Sequence, residues 1–183
     1  DPDALVHIRR GVERIVQVYR TSNNKIKDLW ADAQKMLRNM VSGRAVAFGR
    51  EGLLGVSVAE EGILLPNGLY LRYSDLRSEE GEYGQSYTYA ARKLRKHIYG
   101  GKVIENVTQA LARIIVGLQM LRIQKRYPIA LTVHDSAVGI IRAEEKDEAE
   151  AYILECMCWK PDWAEGLPVA GEIEFSRRYG GDN

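Results

Sequence analysis

The chain has 183 residues, 45% of them hydrophobic, which is the length of one ordinary domain with enough apolar material for a sizeable core. Its formal net charge of +1 neither marks nor excludes a nucleic-acid partner, and no apolar run approaches the roughly 18 residues of a membrane span. Its two cysteines, Cys156 and Cys158, lack a neighbouring histidine, which excludes a disulfide framework and a four-ligand zinc site and reads as reduced thiols inside a cell.

Asp1-Pro2 reads as a helix start, with Asp at the cap and Pro in the first turn. Leu5, Ile8, Val12, Ile15 and Tyr19 make one apolar stripe, Ser22-Asn23-Asn24 interrupts it, and Ile26, Leu29, Trp30, Ala33, Leu37 and Met40 make a second. The pattern predicts a helical hairpin over 1–43 that acts as scaffold. From Arg44 the texture turns to short β-type runs: Ala45 to Phe48, Leu53 to Val58, Ile63 to Leu65 and Tyr70 to Tyr73. Pro66-Asn67-Gly68 supplies a turn, because Asn and Gly tolerate positive φ. Ser78 to Tyr87, polar and glycine-containing, reads as a mobile loop.

Tyr99-Gly100-Gly101-Lys102 opens a long helical pattern whose apolar residues are Ile104, Val107, Leu111, Ile114, Ile115, Leu118 and Leu121. Lys102, Asn106, Gln109 and Arg113 recur on a different side and form a polar stripe of two cations and two amides. Tyr127-Pro128 ends the helix, and the runs Ile129 to Val133 and Ala137 to Ile141 read as strands. Only His134-Asp135-Ser136 separates them, which puts Asp135 at a hairpin tip beside the polar helix side. Glu144 to Met157 reads as an amphipathic helix with Ala149, Tyr152, Ile153 and Cys156 inward and an acidic first turn that suits the helix dipole. Val169 to Phe175 alternates like a closing strand. Charge is unevenly spread. Between Arg92 and Arg113 six cations, Arg95 among them, face Glu105 alone, whereas between Glu144 and Glu155 six acids face Lys146 alone. A basic wall of that kind can hold a polyanion while an acidic one repels it, although solvated helix surfaces have the same composition.

The strings Tyr99-Gly100-Gly101-Lys102, Glu105-Asn106-Val107-Thr108-Gln109-Ala110-Leu111-Ala112-Arg113 and Thr132-Val133-His134-Asp135 resemble the C-terminal part of family A DNA polymerases, and Pro161 to Pro168 is similar to the phage branch. The resemblance implies an α+β fold, with an antiparallel palm-type sheet packed against long helices. Residues 1–43 would be the end of the fingers and 44–183 a palm portion with a β-hairpin insertion and a long DNA-facing helix. It implies template-dependent nucleotidyl transfer with two Mg2+ ions, for which Asp135 would be one carboxylate ligand, and His134 would donate to a phosphate or sugar near the primer end. On spacing alone Asp135 reads better as a turn former, and the resemblance reverses that preference. Asn106 and Gln109 can donate to the minor-groove acceptors that every base pair presents, and Lys102, Arg113 and Arg95 can contact phosphates.

Three departures limit the likeness. Ser136 stands where the family commonly has glutamate, Leu69 where it has an arginine, with Arg72 as the available substitute, and no first carboxylate motif or triphosphate-binding helix precedes Leu5. The chain is therefore expected to be a fragment or a split-polymerase subunit, inactive alone. It would need primer-template DNA, deoxynucleoside triphosphates and an N-terminal polymerase portion from the same gene or a separate chain, in the cytoplasm of a bacterial or phage-infected cell. The alternatives are a non-catalytic duplex-binding module or inactive prophage remnant and, further off, a small metal-dependent nuclease.

Overall fold

The computed structural model describes residues 2–47, 57–59, 62–81 and 84–180, which gather into two compact units, the first running to Val107 and the second from Thr108 onward. Asp1 as a helix cap, Phe48 and the stretch 53–56 of an expected strand lie outside the described residues. The class is α+β with antiparallel pairing throughout, as expected, and the strands are distributed over three small sheets.

The first unit opens with the expected helix pair, α1 (Pro2–Ser22) and α2 (Asn24–Val41). Asn23 makes the corner: its backbone N–H and side-chain amide both donate to the Tyr19 carbonyl, at 3.0 and 2.9 Å, while its own carbonyl accepts from the Ile26 and Lys27 N–H groups in the first turn of α2. One residue thereby satisfies orphan groups of both helix ends. In α2 the inward face is Ala33, Met36, Leu37 and Met40. Of the stripe expected on α1, Val12, Ile15 and Tyr19 are exposed, Ile15 at 70%, and Tyr19 stacks on Trp30 of α2 at the corner.

Strands β1 (Ser57–Ala59), β2 (Gly62–Leu64) and β3 (Tyr70–Arg72) pair in that order, and Gly68 at φ 80 closes the β2–β3 turn. The expected loop at 78–87 is instead part of a second antiparallel sheet, β4 (Arg77–Gly81), β5 (Gly84–Ala91) and β6 (Leu94–Ile98). Its polar residues looked loop-like, but Tyr87 and Thr88 are buried and their strand is paired on both sides, so ladder bonds and aromatic packing outweigh composition.

Helix α3 (Gly100–Ile123) starts against α2. The Gly100 N–H donates to Gln34 Oε1 at 2.7 Å, and a Cβ at Gly100 would overlap the Trp30 carbonyl, so the first glycine of Tyr-Gly-Gly-Lys is required by close approach. The buried residues of α3 include Val103, Val107, Ile114, Ile115, Gln119 and Ile123; Leu121, expected in this stripe, is 63% exposed.

In the second unit, β7 (Ile129–Val133) and β8 (Ser136–Gly139) form a hairpin, followed by a 3-10 turn at Ala143–Glu145 and α4 (Lys146–Cys158). The core is Ile123, Tyr127, Ala149 and Cys156, with Ile129, Ile141, Tyr152, Ile153 and Met157 packed against it, so α4 turns the expected face inward. Val169 to Phe175 keeps its alternation of half-buried and exposed residues but pairs with no strand among the described residues. The correction is physical: alternation reports which side is covered, not whether a partner strand is present.

Candidate nucleic-acid interface

The polar stripe of α3 starts from partly covered side chains. Lys102 pairs with Glu105 at 2.7 Å, one turn on, and the Glu105 carboxylate raises its pKa above the ordinary lysine value. Asn106 Nδ2 donates to the Tyr73 hydroxyl at 3.1 Å. Tyr73 is 3% exposed and meets Tyr89 edge to face at 5.3 Å. Burial is the main reason its phenol pKa rises, so the hydroxyl stays protonated and can accept from Asn106 across the physiological range. This bond fixes the amide that sequence reasoning assigned to the minor groove. Gln109 and Arg113 are exposed further along the helix.

Arg95, read as a phosphate contact, has a structural occupation. Its Nε donates to Thr88 Oγ1 at 3.0 Å, one terminal nitrogen reaches Asp75 Oδ2 at 2.8 Å, and the other reaches the Asp75 and Thr88 carbonyls at 2.9 and 3.0 Å. Asp75, at φ 50, is also held by Arg77. The hydrogen bond from Arg77 is the leading cause of a carboxyl pKa below its ordinary value, with Arg95 contributing. Neither Asp75 nor Tyr73 was singled out from the sequence; the partners lie twenty or more residues away in the chain, and no local pattern connects them.

The β7–β8 hairpin does place Asp135 at its tip. Val133 pairs with Ser136, leaving His134-Asp135 as a two-residue turn. His134 adopts φ 55, a left-handed conformation that Gly, Asn and Asp hold more cheaply than most residues. Both turn side chains are exposed, and no described residue makes a hydrogen bond or ion pair with the Asp135 carboxylate. At the other end of β7, Ile129 is seated in the core, so a packed root carries an open tip.

The donor set does not complete a metal centre. Among the described residues no group of three or more His, Cys, Asp or Glu is gathered to hold an ion. Asp135 offers one carboxylate, Ser136 beside it offers none, and two divalent ions require more. No described helix is long and apolar enough to cross a membrane.

Gln119 was missed, although an amide set in the apolar stripe of a helix is itself a signal. It is 2% exposed, and its Nε2 donates to the carbonyls of Met157 at 2.6 Å and Trp159 at 2.9 Å, tying α3 to the end of α4.

The chain is similar to a phage DNA polymerase. The DNA polymerase of Bacillus phage SP02 is 32% identical over 171 residues, a match that covers 86% of this chain and 26% of the relative. The chain thus spans about a quarter of the length of that curated relative. No family model matches the chain, and no solved structure matches it. The likeness to DNA polymerases drawn from the motifs is supported by this match, which takes in most of the chain, both described units included.

Proposed function

We propose that the chain is the C-terminal, duplex-holding portion of a family A DNA polymerase and contributes to template-directed nucleotidyl transfer when completed by the rest of such an enzyme. The similarity to the phage SP02 polymerase over 86% of the chain carries the reading. Two physical features agree with it. The α3 stripe presents amide and cationic groups in series, of the kind that track a minor groove and its phosphates. The β7–β8 turn holds an exposed, uncommitted carboxylate on an anchored hairpin.

In this reading Asp135 supplies one carboxylate to a divalent ion such as Mg2+, and the further carboxylates come from outside the described residues. His134 contacts a phosphate or sugar near the primer end, and Asn106, held by Tyr73, and Gln109 meet base-pair edges while Lys102 and Arg113 meet phosphates. The substrates are primer-template DNA and deoxynucleoside triphosphates, inside a bacterial or phage-infected cell. The exposed apolar residues Leu131, Val133 and Ile140 of the hairpin region fit a portion that packs against further polypeptide.

The test is a chimera in which this chain replaces the matching quarter of the SP02 polymerase. The chimera should extend a primed template with Mg2+ and deoxynucleotides, the isolated chain should not, and Asp135→Ala should abolish extension by the chimera. An active Asp135→Ala chimera removes the carboxylate from the site. Salt-dependent duplex binding by a chimera that never extends favours the second reading, a non-catalytic binding module, for which Ser136 and the single turn carboxylate speak.

A further inference from the structure

The hairpin formed by β5 and β6 ends in a second two-residue turn, Arg92-Lys93, flanked by the pair Ala91 and Leu94. Arg92 stands at φ 55, where glycine or asparagine would be less strained and where an arginine gains nothing for the fold. Arg92, Lys93 and Lys96 are all exposed, and no carboxylate among the described residues pairs with them. Leu94 is 72% exposed, so nothing described in this unit covers the tip.

The register gives the sheet a direction. Glu79 and Glu80 pair with Ser86 and Gln85 towards one end of β5, whereas Lys96 and Arg95 pair with Tyr89 and Ala90 towards the other, next to the Arg92-Lys93 turn. One end is acidic and the other is cationic, so a polyanion would meet the turn and be repelled from the far end. Arg95, bound to Asp75 and Thr88, braces β6, the strand that carries Lys96 and follows the Arg92-Lys93 turn. Lysine on an edge strand also discourages strand pairing between molecules, and that alone would account for Lys96 in β6. It does not account for Arg92 and Lys93, which lie in the turn beyond the ladder.

We propose that the β5–β6 turn is a second phosphate grip, in which Arg92, Lys93 and Lys96 bind the sugar-phosphate backbone of duplex DNA in addition to the contacts of the α3 polar stripe. The inference rests on the reading of the chain as a duplex-holding portion. The grip is sequence-independent, because point charges on a turn neutralise phosphates without reaching base edges.

The experiment measures binding of the full chain to a fluorescein-labelled mixed-sequence 30-base-pair duplex as NaCl is varied. Each lost phosphate contact lowers the slope of log affinity against log salt by about 0.9, so the variant R92A/K93A/K96A should lose about 2 to 3 from the slope. Arg92→Lys should keep the slope. Arg92→Gly should lose about 0.9 from it while raising the midpoint of thermal unfolding, since it removes both the charge and the strain. A triple variant that unfolds as the parent does and binds with the parent's slope overturns the grip and leaves the duplex-holding reading intact. A parent chain that shows no duplex binding at low salt overturns both. Gln109→Ala separates the two surfaces, because it should weaken binding with little change in slope.

Discussion

Replacing Gln119 with leucine should loosen the second unit by an amount that follows from one missing proton. In an α-helix continued past Met157 its carbonyl would accept from residue 161, but that residue is proline and has no N–H. Gln119 Nε2 supplies the donor from α3 and serves the Trp159 carbonyl with its second proton. Gln119→Leu keeps the approximate volume and removes both bonds. Two carbonyls left without donors cost about 1–3 kcal/mol each where they stay dry, and the added apolar burial returns about 1 kcal/mol, so a net loss of about 1–5 kcal/mol is expected. Urea unfolding followed by far-ultraviolet circular dichroism should show a lower midpoint with an unchanged slope. A Gln119→Leu variant within about 0.5 kcal/mol of the parent, the scatter of ordinary surface substitutions, would refute the reasoning.

Two further outcomes follow from strain and charge. His134→Gly releases the φ 55 backbone and should stabilise the chain by up to about 1 kcal/mol, yet lower primer extension by the SP02 chimera; a chimera that extends as before would take the imidazole out of the site. The Asp75 carboxyl has a folded-state pKa below its unfolded value of about 3.9, so its bonds with Arg77 and Arg95 support the fold above that pH and fade as acid carries it through the lower folded value. Asp75→Asn should therefore flatten the fall in stability below about pH 4 in an acid titration of the thermal midpoint, and an identical acid limb in both proteins would contradict the assignment.

What the sequence disclosed and what it hid divide along the range of the interactions. Helices α1, α2, α3 and α4 and the β7–β8 hairpin were legible because their signals are local: apolar residues three or four apart, Ser22-Asn23-Asn24 at one corner, Tyr127-Pro128 at another. The β4–β5–β6 sheet was not, since its strands are polar and their pairing is written nowhere in any one stretch. For the candidate interface the same division holds. The turn position of Asp135 could be read from spacing, whereas the capture of Arg95 by Asp75 and the seating of Asn106 by Tyr73 depend on residues twenty and thirty-three positions away. Composition also misled about coverage: α1 carries an apolar stripe, but nothing in its sequence says whether another element lies over it, and Val12, Ile15 and Val16 stand open.

Three non-glycine residues among those described have positive φ: Asp75, Arg92 and His134. Asp75 is explained within the fold, because the left-handed corner lets one carboxylate meet both Arg77 and Arg95. For the other two the fold offers no such return. Both begin two-residue hairpin turns, both have exposed side chains, and glycine at the first turn position would close either hairpin with less strain. Each strained residue brings a group that can bind phosphate, and each is followed by a charged side chain at the tip, Lys93 in one turn and Asp135 in the other. Strain without a structural use is better explained by a ligand than by the chain itself. If Arg92→Gly and His134→Gly both stabilise the protein while one lowers the salt slope of duplex binding and the other lowers extension, the two turns keep their costly residues for the same polyanion.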